Sequence, residues 1–215
     1  MHVTKNSHAG FSLIEVLIAV VMMSVVFGAL TMMVKSGTDT FQQGVTSSTA
    51  ESTARRGIDR IAAQFSEAES VQLLPQIVPT LGASTLTYHR STGAVAGVVA
   101  WGNNRTIQFQ MEASELDDGL DNDGDGLIDE GQAVLIENVG LPNQQTTVLC
   151  PSVREYLEGE IPNGADDNGN GLIDEQGLSF DLVGSTLVVR LTVERTNKAG
   201  RRTWRTLETS VWVRN

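Results

Sequence analysis

The sequence predicts an α+β fold, a long N-terminal helix laid on an antiparallel β-sheet head. Three observations predict it. Residues 11 to 34 form an apolar run with one charged side chain, Glu15, and no proline, which is long enough for a helix to cross a bilayer. From Lys35 to the first proline, Pro75, apolar residues recur at three- and four-residue steps. Beyond Pro79 the period shortens to two, with Gly and Asn turn signals between short runs.

The helical stripe is carried by Phe41, Val45, Ala54, Ile58, Ile61, Ala62 and Phe65. No proline interrupts it, so the sequence predicts a near-continuous helix from Phe11 to about Val71. At 1.5 Å per residue this is roughly 90 Å, half in lipid and half packed on a head. Arg55, Arg56, Asp59, Arg60 and Glu67 make its solvated face.

Ahead of the apolar run stands a polar leader, MHVTKNSHAG, with Lys5 as its one Lys or Arg. An export signal carries its small-residue cleavage site after the apolar run; here the small residues precede it. The stretch GFSLIEVLIA, beginning at Gly10, resembles the class III leader of type IV prepilins and of the pseudopilins of type II secretion. That resemblance implies a membrane peptidase that cuts after Gly10 and methylates Phe11, making Glu15 an assembly residue at the fifth mature position. A carboxylate in hydrocarbon costs roughly 2.5 kcal/mol or more unless paired. Glu15 therefore either meets the new α-amino group of Phe11, on its own chain or a neighbour, or stays hydrated among headgroups; the leader context favours the pair. The proline that common pilins often carry near the middle of this segment is missing around Met32.

Further on, ARRGIDRIAAQF at 54–65 resembles the stalk of minor pilins of the W type and pseudopilins of the J type. The domain organisation that follows is a removable leader at 1–10, a transmembrane and assembly helix at 11–34, an amphipathic stalk at 35–74 and a pilin-like β-rich head at 75–215. The resemblance implies a single-pass protein of the bacterial inner membrane, its C-terminal head outside the cytoplasm, in the periplasm or at the cell surface. Its implied partners are other pilins or pseudopilins, met through the N-terminal helix, and the prepilin peptidase and methylase.

Within the head, the expected strands are Ser84 to Arg90, Val95 to Trp101, Thr106 to Met111, Ala133 to Val139, Leu178 to Val183, Thr186 to Thr196 and Thr203 to Val213. Gly93, Gly102, Asn103 and Asn104 mark turns, and residues 141 to 165 read as irregular, with a helical turn at Tyr156 and Leu157. An antiparallel meander against the C-terminal half of the helix is the expected head.

Composition excludes several functions. The chain has 215 residues and a formal charge of −11, yet residues 117–130 hold seven acids and 155–175 another seven, with no Lys or Arg in either window. The acidity is therefore local, and a generally disordered, acidic reading fails. One cysteine, Cys150, cannot form an internal disulfide and reads as a small buried side chain. Outside the leader, which holds His2 and His8, His89 is the one histidine and reads as a strand residue. No catalytic signature accompanies it, zinc ligands are lacking, and an enzyme is disfavoured. Arg201, Arg202 and Arg205 beside a hairpin turn read as a solvated loop, so no nucleic-acid partner is expected.

The acidic windows contain near copies, DGLDNDGDGLIDE at 118–130 and NGADDNGNGLIDE at 163–175, identical at eight of 13 positions. In the first, Asp121, Asp123, Asp125, the Leu127 carbonyl and Asp129 fall at positions 1, 3, 5, 7 and 9 of a calcium loop, with Gly126 at 6. The second offers Asp166, Asn168, Asn170, Leu172 and Asp174, with Gly171 at the turn. A hard cation takes six to eight oxygens at about 2.4 Å, and alternating short side chains on a tight loop all point inward. Position 12 holds Gln132 and Gly177 in place of the bidentate Glu, leaving Glu130 and Glu175, at position 10, to close the shell. Ile128 and Ile173 are expected to anchor loops spanning 117–131 and 163–176. Two calcium ions are expected, the second held more weakly; the plain alternative is an Asp/Asn/Gly turn without metal.

These readings converge on a minor structural subunit, a minor pilin of a type IV pilus or a pseudopilin of a type II secretion filament, with a calcium-stabilised head. A membrane-tethered, calcium-dependent adhesin or receptor outside any filament is the alternative.

Overall fold

The computed structural model describes residues 10–66, 68 and 83–213. The rest of the leader, Glu67, Pro75, Pro79 and the expected helix beyond Ala68 lie outside these residues. The chain divides into two compact units, Met1–Gln42 and Gln43–Asn215.

Within the first unit, the backbone enters a helix, α1 (Leu13–Phe65), whose 53 residues continue into the second. Ser12 caps it: its hydroxyl accepts the Glu15 N–H at 3.3 Å, and the Glu15 carboxylate accepts the Ser12 N–H at 3.4 Å. This reciprocal pair satisfies two of the donors a helix start leaves open. The apolar side chains from Phe11 to Val34 stand exposed. Ser24, Thr31 and Thr38 donate back to the carbonyls of Val21, Phe27 and Val34, so the hydroxyls in this stretch need no water. One helix long and apolar enough to span a membrane is thus present among the described residues.

In the second unit the helix buries Ala50, Thr53, Ala54, Gly57, Ile58, Ile61 and Phe65. Small residues come first and large ones last, so the backbone approaches the sheet closely at Ala54 and Gly57 before Ile61 and Phe65 fill the space. Phe65 meets Tyr88 with ring centroids 4.9 Å apart and Phe180 edge-on at 5.7 Å. α1 ends at Phe65, earlier than the expected Val71, and Ala68 pairs with Arg90 in an isolated bridge. The amphipathic period carried no stop signal there, because pairing with a distant strand edge ends the helix.

The sheet is antiparallel throughout, with strands β1 (Thr85–Val95), β2 (Val98–Met111), β3 (Gly131–Glu137), β4 (Gln145–Val153), β5 (Leu178–Val183), β6 (Thr186–Thr196) and β7 (Arg202–Trp212). Their order is β1-β2-β3-β4-β6-β5, with β7 on the other side of β6. Ala83 exchanges backbone hydrogen bonds with Phe180 of β5, so the sheet curls until its two ends meet. Leu86, Tyr88, Ile107, Leu135, Cys150, Leu178, Leu187, Val189 and Leu191 complete one core with the helix.

Four expectations about the head are corrected. β1 and β2 form one long hairpin, turning at Ala96 and Gly97 with φ of 53° and 81°. The segments expected to be separate merge into β2, which continues through Gly102, Asn103 and Asn104 with a shift of register against β1; two positive-φ residues suit the twist of a two-residue hairpin turn, so the chain reverses at Ala96 and Gly97. Within the segment read as irregular, residues 145–153 form β4, whose polar outer residues and Pro151 hide the period of two. Tyr156 lies in a bridge with Gln176 and not on a helical turn. The order also departs from a simple meander, since β4 pairs with β6, at Val153–Val193, and not with the next strand in the chain, β5.

Candidate metal centre: two acidic loops

The first loop leaves β2 at Glu112 and returns to β3 at Gly131; the second joins β4 to β5. In each, short side chains fold the backbone. Asp121 accepts the N–H groups of Gly124 at 2.6 Å and Gly126 at 2.9 Å, Asp123 that of Asp125 at 3.0 Å, and Asp125 that of Leu127 at 2.8 Å. Asp166 does the same for Gly169, Asn170 and Gly171, Asn168 for Asn170, and Asn170 for Leu172. The Asp and Asn spacing therefore generates successive Asx turns in both copies.

Asp129 and Asp174 clasp the loops. Asp129 takes the N–H groups of Asp118 and Gly119 at 2.9 to 3.1 Å, and Asp174 those of Asn163 and Gly164 at 2.9 to 3.1 Å. Both oxygens of each are thereby engaged, and both residues adopt a positive φ, 51° and 49°. The buried anchors are Leu127 and Leu172, whereas the expected Ile128 and Ile173 are half-buried. In a loop that reverses at Gly126, alternation cannot say which of two adjacent apolar residues turns inward. Thr196 ties the first loop to β6, donating to the Gly126 carbonyl at 2.9 Å.

Two further acids complete the turns. Glu115 accepts the N–H groups of Asn122 at 3.1 Å and Asp123 at 3.0 Å, and Glu160 those of Asn168 at 3.0 Å and Asp174 at 3.1 Å. Sequence reading missed this pair, although the signal was present: the repeat extends three residues upstream, with Glu115 and Glu160 each 15 residues before Glu130 and Glu175.

Carboxylates converge only around the first loop, among the described residues. Glu112, Asp123 and Glu130 each place an oxygen within 4.8 Å of the others, as do Glu115, Asp121 and Asp123, and Asp117, Asp129 and Glu155. Asp123 belongs to two of these groups. Glu112 and Glu155 lie outside the copied segment, so no spacing rule pointed to them.

The two position-10 glutamates differ sharply. Both oxygens of Glu130, 1% exposed, and one of Glu115, 5% exposed, are buried without a hydrogen-bond partner. Burial, reinforced by the negative charges of Asp125, Glu115 and Asp123, pushes the Glu130 carboxyl up to about 7. Burial likewise raises Glu155. Glu175, fully buried, is satisfied: one oxygen accepts the Ser179 hydroxyl at 3.0 Å and faces the Arg190 guanidinium at 3.4 Å, and the other accepts the side-chain amides of Asn168 and Asn170.

Of the carboxylates in these groups Glu115, Asp129 and Glu130 are buried, whereas Asp117, Asp121 and Asp123 are exposed; oxygen donors of this kind are the ligands that hard divalent cations such as calcium take. Elsewhere, the groups sequence reading set aside are engaged within the fold. His89 meets the Gly102 carbonyl at 2.9 Å, and Cys150 is buried beneath the helix. Arg201 donates to Gln43, Arg205 to Ser47, and Arg202 lies 3.5 Å from the buried Glu194.

Residues 5–31 match the family model of the prokaryotic N-terminal methylation motif. With a long apolar helix leading into a helix-on-sheet head, that motif supports a type IV pilin-like protein, structural in role. It implies processing by a prepilin peptidase and assembly with other pilins, and the apolar helix fits a single-pass inner-membrane anchor. No curated protein and no solved structure matches the chain.

Proposed function

We propose that this chain is a minor subunit, a minor pilin or minor pseudopilin, of a type IV pilus or type II secretion filament, and that calcium stabilises its head. The methylation motif running directly into the apolar helix carries the subunit reading. Cleavage after Gly10 frees the α-amino group of Phe11 close to the Ser12–Glu15 cap, where a carboxylate is already held at the helix start. The new cation and Glu15 then neutralise one another in hydrocarbon, within the chain or between neighbours. A head carrying two long loops between its strands suits a subunit used in few copies better than one that repeats along a filament. In this reading the head faces away from the cytoplasm.

Intact-mass measurement of the membrane form tests the subunit reading. The expected mass lacks residues 1–10 and carries one added methyl group. An uncut chain overturns the reading and favours a tethered adhesin.

The calcium reading rests on the unpartnered buried oxygens of Glu130 and Glu115 beside Asp121 and Asp123. An ion bound to the folded state alone stabilises it by mass action. Melting the full chain in detergent with and without a chelator tests this; an unchanged midpoint overturns it.

A further inference from the structure

We propose that the two loops are one turn whose buried carboxylates are compensated in two ways: those of the first require a calcium ion, and those of the second need none, the Asn168 and Asn170 amides and Arg190 occupying the cation's role toward Glu175. This rests on the calcium reading of the first loop and goes beyond the repeat, which by itself implies two like sites.

A superposition by sequence makes the contrast. The acids Glu112, Glu115, Asp121, Asp123, Asp125 and Glu130 correspond, 45 residues on, to Leu157, Glu160, Asp166, Asn168, Asn170 and Glu175. Three carboxylates are lost, and Asn168 and Asn170 bring N–H donors where the first loop has only acceptors. Those donors point at Glu175. Val134 of β3 corresponds to Ser179 of β5, so the hydroxyl donor to Glu175 has no counterpart beside Glu130. Arg190 of β6 supplies positive charge to Glu175 and reaches Glu208 at 2.7 Å as well.

Every buried carboxylate oxygen of the second loop therefore has a protein donor, whereas three in the first have none. A buried charge persists only when paired or bound to metal. In the second loop pairing is complete, so a cation there would have to displace amide and guanidinium donors from Glu175 and meet their repulsion. In the first loop the same cation meets orphaned oxygens of Glu130 and Glu115, with Asp123 common to both groups. The turns themselves are alike, since their backbone bonds come from the Asp and Asn side chains and not from an ion.

Equilibrium dialysis of the full-length chain in detergent against labelled calcium reads the stoichiometry. One ion per chain is expected, lost in Asp123→Asn and Glu130→Gln and retained in Asp166→Asn. Two ions per wild-type chain, or a single ion lost with Asp166→Asn, overturns this proposal and leaves the calcium reading standing. No bound ion in the wild type overturns both. The double substitution Asn168→Asp with Asn170→Asp restores two of the three lost carboxylates and removes both amide donors to Glu175; it is expected to raise the count from one to two and to lower the melting midpoint in chelator, with recovery in calcium. A count that stays at one, with the variant folded, overturns the role given to the amides. If the double variant does not fold, the wild-type count and Asp166→Asn decide.

Discussion

Gly57 of the helix lies so close to Cys150 of β4 that a Cβ placed on the glycine would stand 2.6 Å from the thiol sulfur, and 2.9 Å from Leu191 of β6. Cα of residue 57 therefore sits where the sheet leaves room only for hydrogen, and its neighbours on the helix face, Ala50 and Ala54, are nearly as small.

Gly57→Ala is expected to destabilise the head by about 1–3 kcal/mol through overpacking, despite alanine's better helix propensity. Thermal melting checks the sign. Adding Cys150→Ala, which removes the sulfur, is expected to recover part of the loss, and additive losses would mean the two residues do not collide.

Farther along the same helix face, Phe65 joins Tyr88 and Phe180 in a fully buried aromatic group. Phe65→Ala is expected to cost about 3–5 kcal/mol, the range for emptying a large core site. Denaturant unfolding gives the value; a loss under about 1 kcal/mol would mean that the helix is not held at this point.

Burial pushes the Cys150 thiol up to about 12, so almost no thiolate exists in the folded head near neutral pH. Labelling by a thiol reagent is expected to be slow in the folded chain and to accelerate with denaturant in step with unfolding. Rapid labelling of the native protein would contradict the packing of β4 beneath the helix.

For calcium-free protein, Glu130 sets a pH trend opposite to that of a paired carboxylate. Its ordinary value is 4.5 and its folded value about 7, so the folded state keeps a proton that the unfolded chain releases. Stability is therefore expected to rise as pH falls from above 7 toward 4.5, since the folded state then binds more protons. The groups opposing its ionisation are Asp125, Glu115 and Asp123. Melting in chelator across this range reads the trend, Glu130→Gln is expected to flatten it, and saturating calcium, which displaces the proton, removes it.

Gly126 and Gly171 occupy equivalent turns, both with φ of 91°, yet a Cβ on Gly126 would meet the Thr196 methyl at 2.8 Å, while nothing lies within 4 Å of one on Gly171. Each alanine substitution carries roughly 1–2 kcal/mol of left-handed strain. Gly126→Ala alone also displaces β6 from the loop. It is expected to lower the melting midpoint more than Gly171→Ala, and equal losses would remove the contact with Thr196 from consideration.

Much of this architecture was legible from local rules. The apolar run without proline and the repeated Asp/Asn/Gly spacing each describe residues close in the chain, whose period or hydrogen-bonding reach suffices to predict a helix or a turn. The final hairpin was equally clear, because β6 and β7 pair across a short connection. β4 was not, since its partners β3 and β6 decide its pairing while its own residues are polar and interrupted by Pro151.

The candidate site divides along the same line. Spacing alone determined two turns of one design, with Asp and Asn side chains binding their own backbone. Only the tertiary structure decided that Glu112 and Glu115 close on Asp123, that Glu130 is buried without a donor, and that Ser179 and Arg190 reach Glu175 from β5 and β6. Whether a carboxylate must bind a cation depends on the donors brought to it from distant strands, and spacing within a loop carries no record of them.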